Sequence, residues 1–297
     1  MNMKYIVEIY ERNEIEIAKA HKADGIVLPL SFYSAHAQKC FKLEELAELV
    51  NEAGDMEVYI DGTRMYVDED MNKLRELIEL ASSLHVKGIY FADMSGYQMC
   101  HELGHDELCY YQPDTMVVNS YDAAFFLQRM GGICLAKELT LDEIIKISEY
   151  NKGNVEVFLH GCPLMSMSKR PLIENYFDEI KYTGELKDLY YLKEEKRPEP
   201  FPVLRNEQGT FFFGTYIQES FKELSKLNEV NTKQGRISHM ITSFDEMMDA
   251  LDMYKDIEIN GYDEDKVQSF KNKYSTYNYS TGFYYQKTSV KKEYGNE

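Results

Sequence analysis

Short apolar runs alternate with amphipathic segments at regular spacing through the first 160 residues. The apolar runs are rich in β-branched residues, which is typical of buried strands, and the segments between them repeat apolar positions at helical spacing. The predicted strands lie at 5–9, 25–30, 57–61, 88–93, 108–112, 133–136 and 155–160. The predicted helices lie at 14–21, 43–52, 71–84, 121–130 and 142–150, with a short helix after the fourth strand.

These seven strand–helix steps predict a parallel sheet covered by helices. Repetition to this number favours a closed barrel over an open, doubly wound sheet, and no GxGxxG motif follows an early strand to support the open alternative. The fold class that we predict is therefore α/β, a TIM-barrel-like (β/α)8 fold with an insertion before the last strand and a C-terminal tail.

The alternation breaks after His160. A charged, proline-containing stretch at 193–202 precedes a predicted hairpin at 203–213, whose turn residues are Asn206 to Gly209. We interpret 178–227 as the insertion, and we place the last strand near Val230 and a helix at 244–254. The predicted domains are a barrel at 1–256, including the insertion, and a C-terminal extension at 257–297.

Polar residues follow many of the predicted strands, at the end of the barrel where the reactive groups of such folds lie. They are Asp61, Arg64, Asp93, Asp114, Asn119, Glu138 and His160. For Asp93 and Asn119 a second interpretation is equally open, because Asp and Asn in these positions also cap helix N-termini.

The segment from His101 to His105 reads HELGH and matches HExxH, the signature of zinc proteases. That chemistry needs both histidines on one face of a helix, with the glutamate as base beside the metal. Gly104 is typical of a helix end and would turn His105 away from the face of His101. We therefore predict that the match is coincidental and that the chain binds no metal ion.

Composition narrows the possible functions. The net charge is −18, from 33 Lys and Arg against 51 Asp and Glu, and such a surface binds nucleic acid poorly. Glu8 and Glu11 lie where a signal peptide would be apolar, and no apolar run approaches the ~18 residues of a membrane span, so we expect a cytoplasmic protein. The five cysteines form no CxxC pair and are predicted to be reduced thiols.

The segment 155–176, VEVFLHGCPLMSMSKRPLIENY, resembles the signature of the collagenase-like peptidase family U32. That signature is a strand ending in His-Gly, then a loop with a serine near Gly-Arg or Gly-Gln, then Leu and Asn. The residues in register are His160, Gly161, Ser166, Ser168, Leu172 and Asn175. Further similar segments are Asn119-Ser120, the run from Leu135 to Ile144, Gly209-Thr210, Gly235-Arg236 and 281–288.

The resemblance has one important departure. Longer family members place cluster-binding cysteines in this loop, where the chain has Leu164 and Pro171, and Cys162 is out of register. A four-iron cluster needs about four thiolates. The chain therefore resembles a short, cluster-free paralogue, for which no cofactor is expected, and the partner that the resemblance implies is a larger iron–sulfur paralogue.

The family's name implies peptidase activity, collagen included, but several relatives resemble hydroxylation factors instead. The paired bacterial type resembles proteins needed for 5-hydroxylation of the tRNA wobble uridine. Because no Ser-His-Asp order, Cys-His pair or aspartate dyad is evident, we favour a subunit of such a system that meets tRNA only indirectly. A true peptidase and a purely structural partner remain the alternatives.

The candidate site residues follow from the strand ends and from the resemblance. We predict catalytic roles for His160 with Glu138, as acid and base, and for Asp93 and Asn119. The alternative for His160 is a hydrogen-bonded residue that holds the loop. Substrate-binding roles are predicted for Asp61, Arg64, Ser168, Lys169, Arg170 and Arg236, and Lys169 and Arg170 could clamp a carboxylate or phosphate or be solvated loop charges.

Overall fold

The computed structural model describes residues 3–195 and 199–286. The strands are β1 Lys4–Glu8, β2 Gly25–Pro29, β3 Glu57–Asp61, β4 Gly88–Phe91, β5 Cys109–Tyr111, β6 Gly132–Ile133, β7 Glu156–His160, β8 Leu164–Ser168, β9 Leu189–Leu192, β10 Phe201–Asn206, β11 Gly209–Phe213, β12 Ile217–Gln218, β13 Gln234–Ile237 and β14 Tyr279–Ser280. The helices are α1 Arg12–Ala20, α2 Leu46–Ala53, α3 Met71–Ser83, α4 Met94–Leu103, α5 Ser120–Leu127, α6 Leu141–Tyr150, α7 Leu172–Glu179, α8 Leu224–Glu229, α9 Phe244–Asn260 and α10 Glu264–Lys273.

Eight parallel strands form the barrel, in the order β6-β5-β4-β3-β2-β1-β13-β7. The ring closes where Cys134, just after β6, bridges Glu156 at the start of β7, and the N–H of Leu135 donates to the carbonyl of Glu156 at 2.9 Å. The predicted TIM-like barrel is confirmed. Its eighth strand starts at Gln234 instead of near Val230, because Val230 ends α8 and Asn231 turns the chain with a positive φ.

Apolar side chains pack on both faces of the barrel sheet. Ile6, Val27, Tyr59, Tyr90 and Tyr110 pack together inside it, while the amphipathic helices bury their apolar faces against the outside. β2 is buried along its whole length, as expected of a parallel strand covered on both faces. Gly25 begins it, and a Cβ there would lie 2.7 Å from the carbonyl oxygen of Glu57, so the close approach to β3 requires glycine.

A second, antiparallel sheet is inserted between β7 and β13, with the order β8-β11-β10-β9. Leu164, Phe211 and Phe213 pack it against Ala35 and Met240, which follow β2 and β13. The insertion sheet therefore covers the carboxyl ends of barrel strands. The predicted hairpin is β10–β11, but the sheet begins with β8, upstream of the predicted start at 178.

The C-terminal segment returns to the barrel after β13. α9 and α10 pack beside β7, and β14 pairs in parallel with β12. The carbonyl of Tyr284 accepts a hydrogen bond from Leu141 at the start of α6. Within residues 3–195 and 199–286, no helix has both the length and the apolar content that crossing a membrane would require. Predictions about 287–297 lie outside the described residues.

Candidate functional site

A cavity of about 50 Å³ lies at the carboxyl ends of the barrel strands, beneath the insertion sheet. Its apolar cover includes Leu164, Phe213 and Met240. Its polar lining is dense in charge for such a small space and includes Glu8, His36, Asp61, Asp114, Lys137, Glu156, Arg236 and Ser238. Concave sites with a few convergent polar groups in this position are where barrel folds bind their ligands.

Arg236 forms the centre of this lining. β13 holds it inside the barrel, where the residue is only 5% exposed. Its Nη2 lies 2.7 Å from Oε1 of Glu156, its Nη1 lies 3.5 Å from Oε1 of Glu8, and its guanidinium carbon lies 3.9 Å from the ring centroid of Tyr90. Burial alone would lower the pKa of Arg236, but the two carboxylates and Tyr90 hold it well above its usual value. Arg236 is therefore a fixed cation that holds two acids in place.

Glu156 forms the floor of the cavity at the start of β7. The hydroxyl of Tyr90 donates to its Oε2 at 2.6 Å, and Nε2 of Gln234 lies 3.3 Å from the same oxygen. The thiol of Cys134 lies 3.2 Å from its Oε1. Because the residue is 3% exposed and surrounded by donors, its hydrogen-bonding capacity is already used by the protein.

Glu8, at the end of β1, forms part of the wall. It accepts hydrogen bonds from the hydroxyls of Tyr10 at 2.8 Å and Ser238 at 2.6 Å. Burial alone would raise the pKa of this carboxyl, but Arg236 and the two hydroxyls together lower it below its usual value. Glu8 is thus an ionised acceptor at neutral pH.

Asp61 and His36 differ from these satisfied groups. Asp61 ends β3 and accepts from the backbone N–H and hydroxyl of Thr63 at 3.0 and 2.6 Å, yet burial still raises its pKa above the usual value. His36 opposes that shift electrostatically, and its ring lies beside Phe211 and Phe213 of the insertion sheet. Nδ1 of His36 is buried without a hydrogen-bond partner in the described structure. A carboxyl of raised pKa that shares a cavity with an imidazole is an arrangement suited to moving a proton.

Asp114 and Lys137 form an ion pair at the cavity wall, with Nζ 2.8 Å from Oδ1. Asp114 has a φ of +61°, a left-handed conformation that Asp tolerates better than most residues. Burial would raise the pKa of Asp114, but Lys137 and His36 bring it below its usual value. The cavity therefore holds charges of both signs.

The family assignment comes from comparison with known proteins. A model of peptidase family U32 matches residues 11–294, almost the whole chain. The chain belongs to peptidase family U32.

Two curated proteins are similar to this U32 chain. The chain is 23% identical over 209 residues to tRNA hydroxylation protein P2 of Bacillus subtilis, across 67% of the chain and 66% of that protein, just under two thirds of its length. It is 25% identical over 291 residues to an uncharacterized protease of Methanocaldococcus jannaschii, across 92% of the chain and 70% of that protein.

Solved structures with a related shape include one titled as a U32 peptidase, at a TM-score of 0.49 and 15% identity, covering 79% of this chain and 92% of that one. Phosphoribosylanthranilate isomerase of Thermotoga maritima matches at a TM-score of 0.47 and 12% identity, over 86% of this chain and 97% of that one.

The cysteines of this U32 chain do not fit the cluster that the family resemblance implies for longer members. Leu164 is buried in β8 and Pro171 precedes α7, so neither position offers a thiolate. Burial raises the pKa of Cys162 to about 12, and burial together with Glu156 raises the pKa of Cys134 well above its usual value. In the described ranges no group of His, Cys, Asp and Glu is arranged to hold a metal ion.

His160 of the U32 signature lies on the other side of the barrel wall from the cavity. Its ring is completely buried, with Nε2 2.8 Å from Oε1 of Glu246, and it packs against Tyr254 and Phe270. Strict alternation along β7 would direct it inward with Glu156. A register irregularity opposite Arg236 and Ile237 instead re-aims it. In the structure the ring of His160 is a satisfied group that ties β7 to α9.

The buried pair of His160 and Glu246 leads to a prediction about stability at acidic pH. Burial alone would raise the pKa of Glu246, but His160, Tyr279 and Thr242 lower it below the usual 4.5. A depressed pKa adds stability that is present above the unfolded-state value and lost as the pH falls through the folded-state value. The free energy of unfolding, measured in urea between about pH 3 and 6, should fall less steeply with falling pH in Glu246→Gln than in the wild type. The slope should decrease by up to about 1.4 kcal/mol per pH unit.

The matched control is Glu149→Gln, because Glu149 is exposed on α6. It should leave the pH profile of the U32 chain unchanged. An unaltered acid slope in Glu246→Gln would mean that the buried carboxylate does not titrate below its unfolded value.

Asp93 and Asn119 are helix N-caps and lie outside the cavity lining. Asp93 accepts from the N–H of Ser95 at 2.9 Å and of Tyr66 at 3.0 Å. Asn119 accepts from the N–H groups of the first turn of α5 at 3.0 and 2.9 Å. Both side chains therefore match the capping interpretation of the sequence.

The remaining predicted residues do not line the cavity. Burial raises the pKa of Glu138, which follows Lys137. Arg64 donates to Oε1 of Gln208 at 2.7 Å, and Lys169 donates to the carbonyl of Met65 at 3.2 Å, so both fasten the insertion to the barrel. Ser168 accepts from the N–H of Arg170, whose side chain is exposed. Among the predicted site residues, Asp61 and Arg236 share the cavity.

The HExxH segment forms the end of α4. The helix stops at Leu103, and Gly104 takes a left-handed φ of +75°, which is the predicted cap. Nδ1 of His101 contacts Asp106 at 3.1 Å, while Nδ1 of His105 lies 3.4 Å from the hydroxyl of Ser82. The two imidazoles therefore have separate partners.

This geometry predicts that the purified protein contains no stoichiometric zinc, because a helix ending before Gly104 cannot present His101 and His105 as an i, i+4 pair. Elemental analysis after expression in zinc-supplemented medium measures it, with His105→Ala as the comparison. One zinc ion per chain that is lost in His105→Ala would revive the zinc-peptidase hypothesis.

Sequence reasoning missed most of the cavity. Glu8 ends a strand just as Asp61 does, so the rule that found Asp61 could have found it. Glu156 begins a strand, where a carboxylate is usually taken as solvated. His36 lies in the loop after β2, and it lines the cavity while its ring packs against the insertion sheet.

Proposed function

We propose that this U32 chain is a component of a tRNA uridine 5-hydroxylation system. The observation that carries the proposal is the similarity to tRNA hydroxylation protein P2 of B. subtilis, within a family match over residues 11–294. In this proposal the chain acts in the cytoplasm, where tRNA is modified.

The chain works with a larger paralogue that contributes an iron–sulfur cluster. Two features support this division of labour. The thiols of Cys134 and Cys162 are protonated at neutral pH and Leu164 and Pro171 occupy the ligand positions, so redox chemistry belongs to the partner. A net charge of −18 disfavours direct tRNA binding, so the partner also presents the tRNA.

The barrel mouth binds a small polar reactant. Arg236 and Lys137 orient its acceptor atoms, while Asp61 and His36 give or take a proton in the cavity. The insertion sheet excludes bulk water, which strengthens every electrostatic contact inside.

Deleting the gene tests this function. The level of 5-hydroxylated wobble uridine in tRNA digests, measured by mass spectrometry, should fall and should return when the chain is supplied from a plasmid. Unchanged hydroxylation in the deletion strain would remove the proposal.

A collagenase-like peptidase is the second candidate, because the M. jannaschii relative is named a protease. The cavity of about 50 Å³ under a packed sheet does not admit an extended peptide as it stands. Gelatin cleavage by the pure protein, abolished by His36→Ala or by a chelator, would favour the peptidase over the hydroxylation component.

A further inference from the structure

The cavity at the barrel mouth contains hydrogen-bonding groups that the protein itself does not use. Its lining carries four carboxylates and two basic side chains, Lys137 and Arg236. Contacts between described residues satisfy only part of this set. Because buried polar groups are normally paired, the unused remainder indicates what a ligand must supply.

The unused donors lie on Arg236 and Lys137. Arg236 is 5% exposed, and its Nε is buried without a hydrogen-bond partner in the described part of the chain, while its terminal nitrogens lie next to Glu156 and Glu8. The ammonium of Lys137 can donate several hydrogen bonds, and its acceptor among the described residues is Oδ1 of Asp114 at 2.8 Å. Both basic side chains therefore keep N–H groups for an acceptor such as a carboxylate.

The unused acceptors are carboxylate oxygens of Asp61 and Asp114. Both hydrogen bonds that Asp61 accepts from Thr63 end on Oδ1, and Asp114 also uses Oδ1 for Lys137. Within residues 3–195 and 199–286, Oδ2 of either aspartate has no hydrogen-bond donor. Free carboxylate oxygens in a cavity suit a positively charged group with several N–H bonds, such as an ammonium.

The volume of the cavity limits the ligand to a few atoms. The cavity measures about 50 Å³, and a bound water needs about 10–15 Å³ of such volume, so there is room for roughly three to five water-sized groups. A carboxylate, an ammonium and a methyl-sized side chain on one carbon match that size. Leu164, Phe213 and Met240 cover the cavity, so a short apolar side chain fits beneath them.

The charge balance of the lining separates such a ligand from simpler ones. A dicarboxylate or a phosphate would add negative charge where acids already outnumber bases, and like charges repel strongly in a poorly solvated space. A plain amine would leave the N–H groups of Arg236 and Lys137 without an acceptor, and a plain carboxylate would leave the aspartate oxygens without a donor. A zwitterion meets both requirements and adds no net charge.

We propose that the cavity binds a small zwitterion, an α-amino acid with a short side chain. The carboxylate of the amino acid contacts Lys137 and Arg236. Its ammonium contacts the free oxygens of Asp61 and Asp114. The amino acid is then the small polar reactant of the hydroxylation system, and that role, unlike the binding itself, rests on the proposed function.

Titration calorimetry of the purified chain at pH 7 tests the binding. The probes are glycine, L-alanine and L-serine, and the partial analogues are propionate, ethylamine and malonate. L-Alanine should bind, and each analogue should bind at least about 10-fold more weakly, because each lacks the ammonium or the carboxylate or replaces one with the other charge. These comparisons use the wild-type protein, so misfolding of a variant cannot imitate them.

Two variants locate the ligand. Lys137→Met and Asp61→Asn should each raise the dissociation constant of L-alanine at least about 10-fold. The matched control is Lys266→Met, because Lys266 pairs with Asp256 at 2.6 Å on the outer surface, and it should bind L-alanine as the wild type does. Melting curves by circular dichroism without ligand show whether each variant is folded.

Several outcomes would overturn the proposal. They are the absence of binding by all three amino acids, binding of propionate, malonate or ethylamine as tight as that of L-alanine, and an unchanged dissociation constant in folded Lys137→Met and Asp61→Asn. The binding assay is independent of tRNA hydroxylation. Binding of L-alanine together with normal hydroxylation in the deletion strain would contradict the proposed function alone, and lost hydroxylation without amino-acid binding would contradict the zwitterion site alone.

Discussion

Replacing Arg236 with methionine should lower the free energy of unfolding by about 3–5 kcal/mol. The substitution removes the cation that lies 2.7 Å from Glu156 and 3.5 Å from Glu8, both within the barrel. Two carboxylates would then face each other in a poorly solvated space without a counter-charge. Urea unfolding at pH 7 measures the change.

Two further variants define the cause. Arg75→Met removes an exposed pair with Glu102 and should leave the unfolding midpoint nearly unchanged. Adding Glu156→Gln to Arg236→Met should recover part of the lost stability, because one of the unpaired charges disappears. A loss in Arg236→Met as small as that in Arg75→Met would mean that the buried contact with Glu156 stabilises the fold no more than an exposed ion pair does.

The second large effect concerns His36. In the deletion strain, His36→Ala should restore less than about a tenth of the wild-type wobble uridine hydroxylation, because a positioned acid–base group contributes about 100-fold or more. Nδ1 of His36 is buried beside the cavity and has no hydrogen-bond partner in the described part of the chain, so it is available to a reactant. Mass spectrometry of tRNA digests at matched protein levels gives the readout.

Controls separate chemistry from folding. His21→Ala removes an imidazole that contacts Asp252 on the outer surface and should restore hydroxylation fully. Asp61→Asn should be impaired as His36→Ala is, with both variants keeping a wild-type melting temperature. Full restoration by His36→Ala would exclude His36 from the reaction.

The sequence predicted the barrel well because its strands are buried on both faces. The uniformly apolar run at Gly25–Pro29 is typical of a buried strand. The amphipathic pattern at Met71–Ser83 is typical of a helix that packs one face on the core. β8 was missed because Leu164–Ser168 alternates Met and Ser, a weak signal beside the signature loop. The insertion therefore starts before the charged, proline-containing stretch that suggested it.

The site was predicted less completely, for a different reason. Asp61 and Arg236 line the cavity, and the sequence could identify them. Asp61 ends a predicted strand, and Arg236 belongs to a segment that resembles the family. His160 faces α9 because a register irregularity in β7 changes its direction, and no local pattern in the sequence encodes that irregularity. His36 lines the same cavity as Asp61 and packs against Phe211, a residue that is distant in sequence, so no local pattern identifies it.

The closure of the barrel is uneven around its circumference. β2 and β3 pair over five residues, whereas the β6–β7 junction has a single bridge between Cys134 and Glu156, supported by the hydrogen bond from Leu135. Local opening costs least where pairing is sparsest. The same junction carries the floor carboxylate of the cavity. Local opening between β6 and β7 would therefore change the depth of the cavity and leave the pairing of the other barrel strands intact.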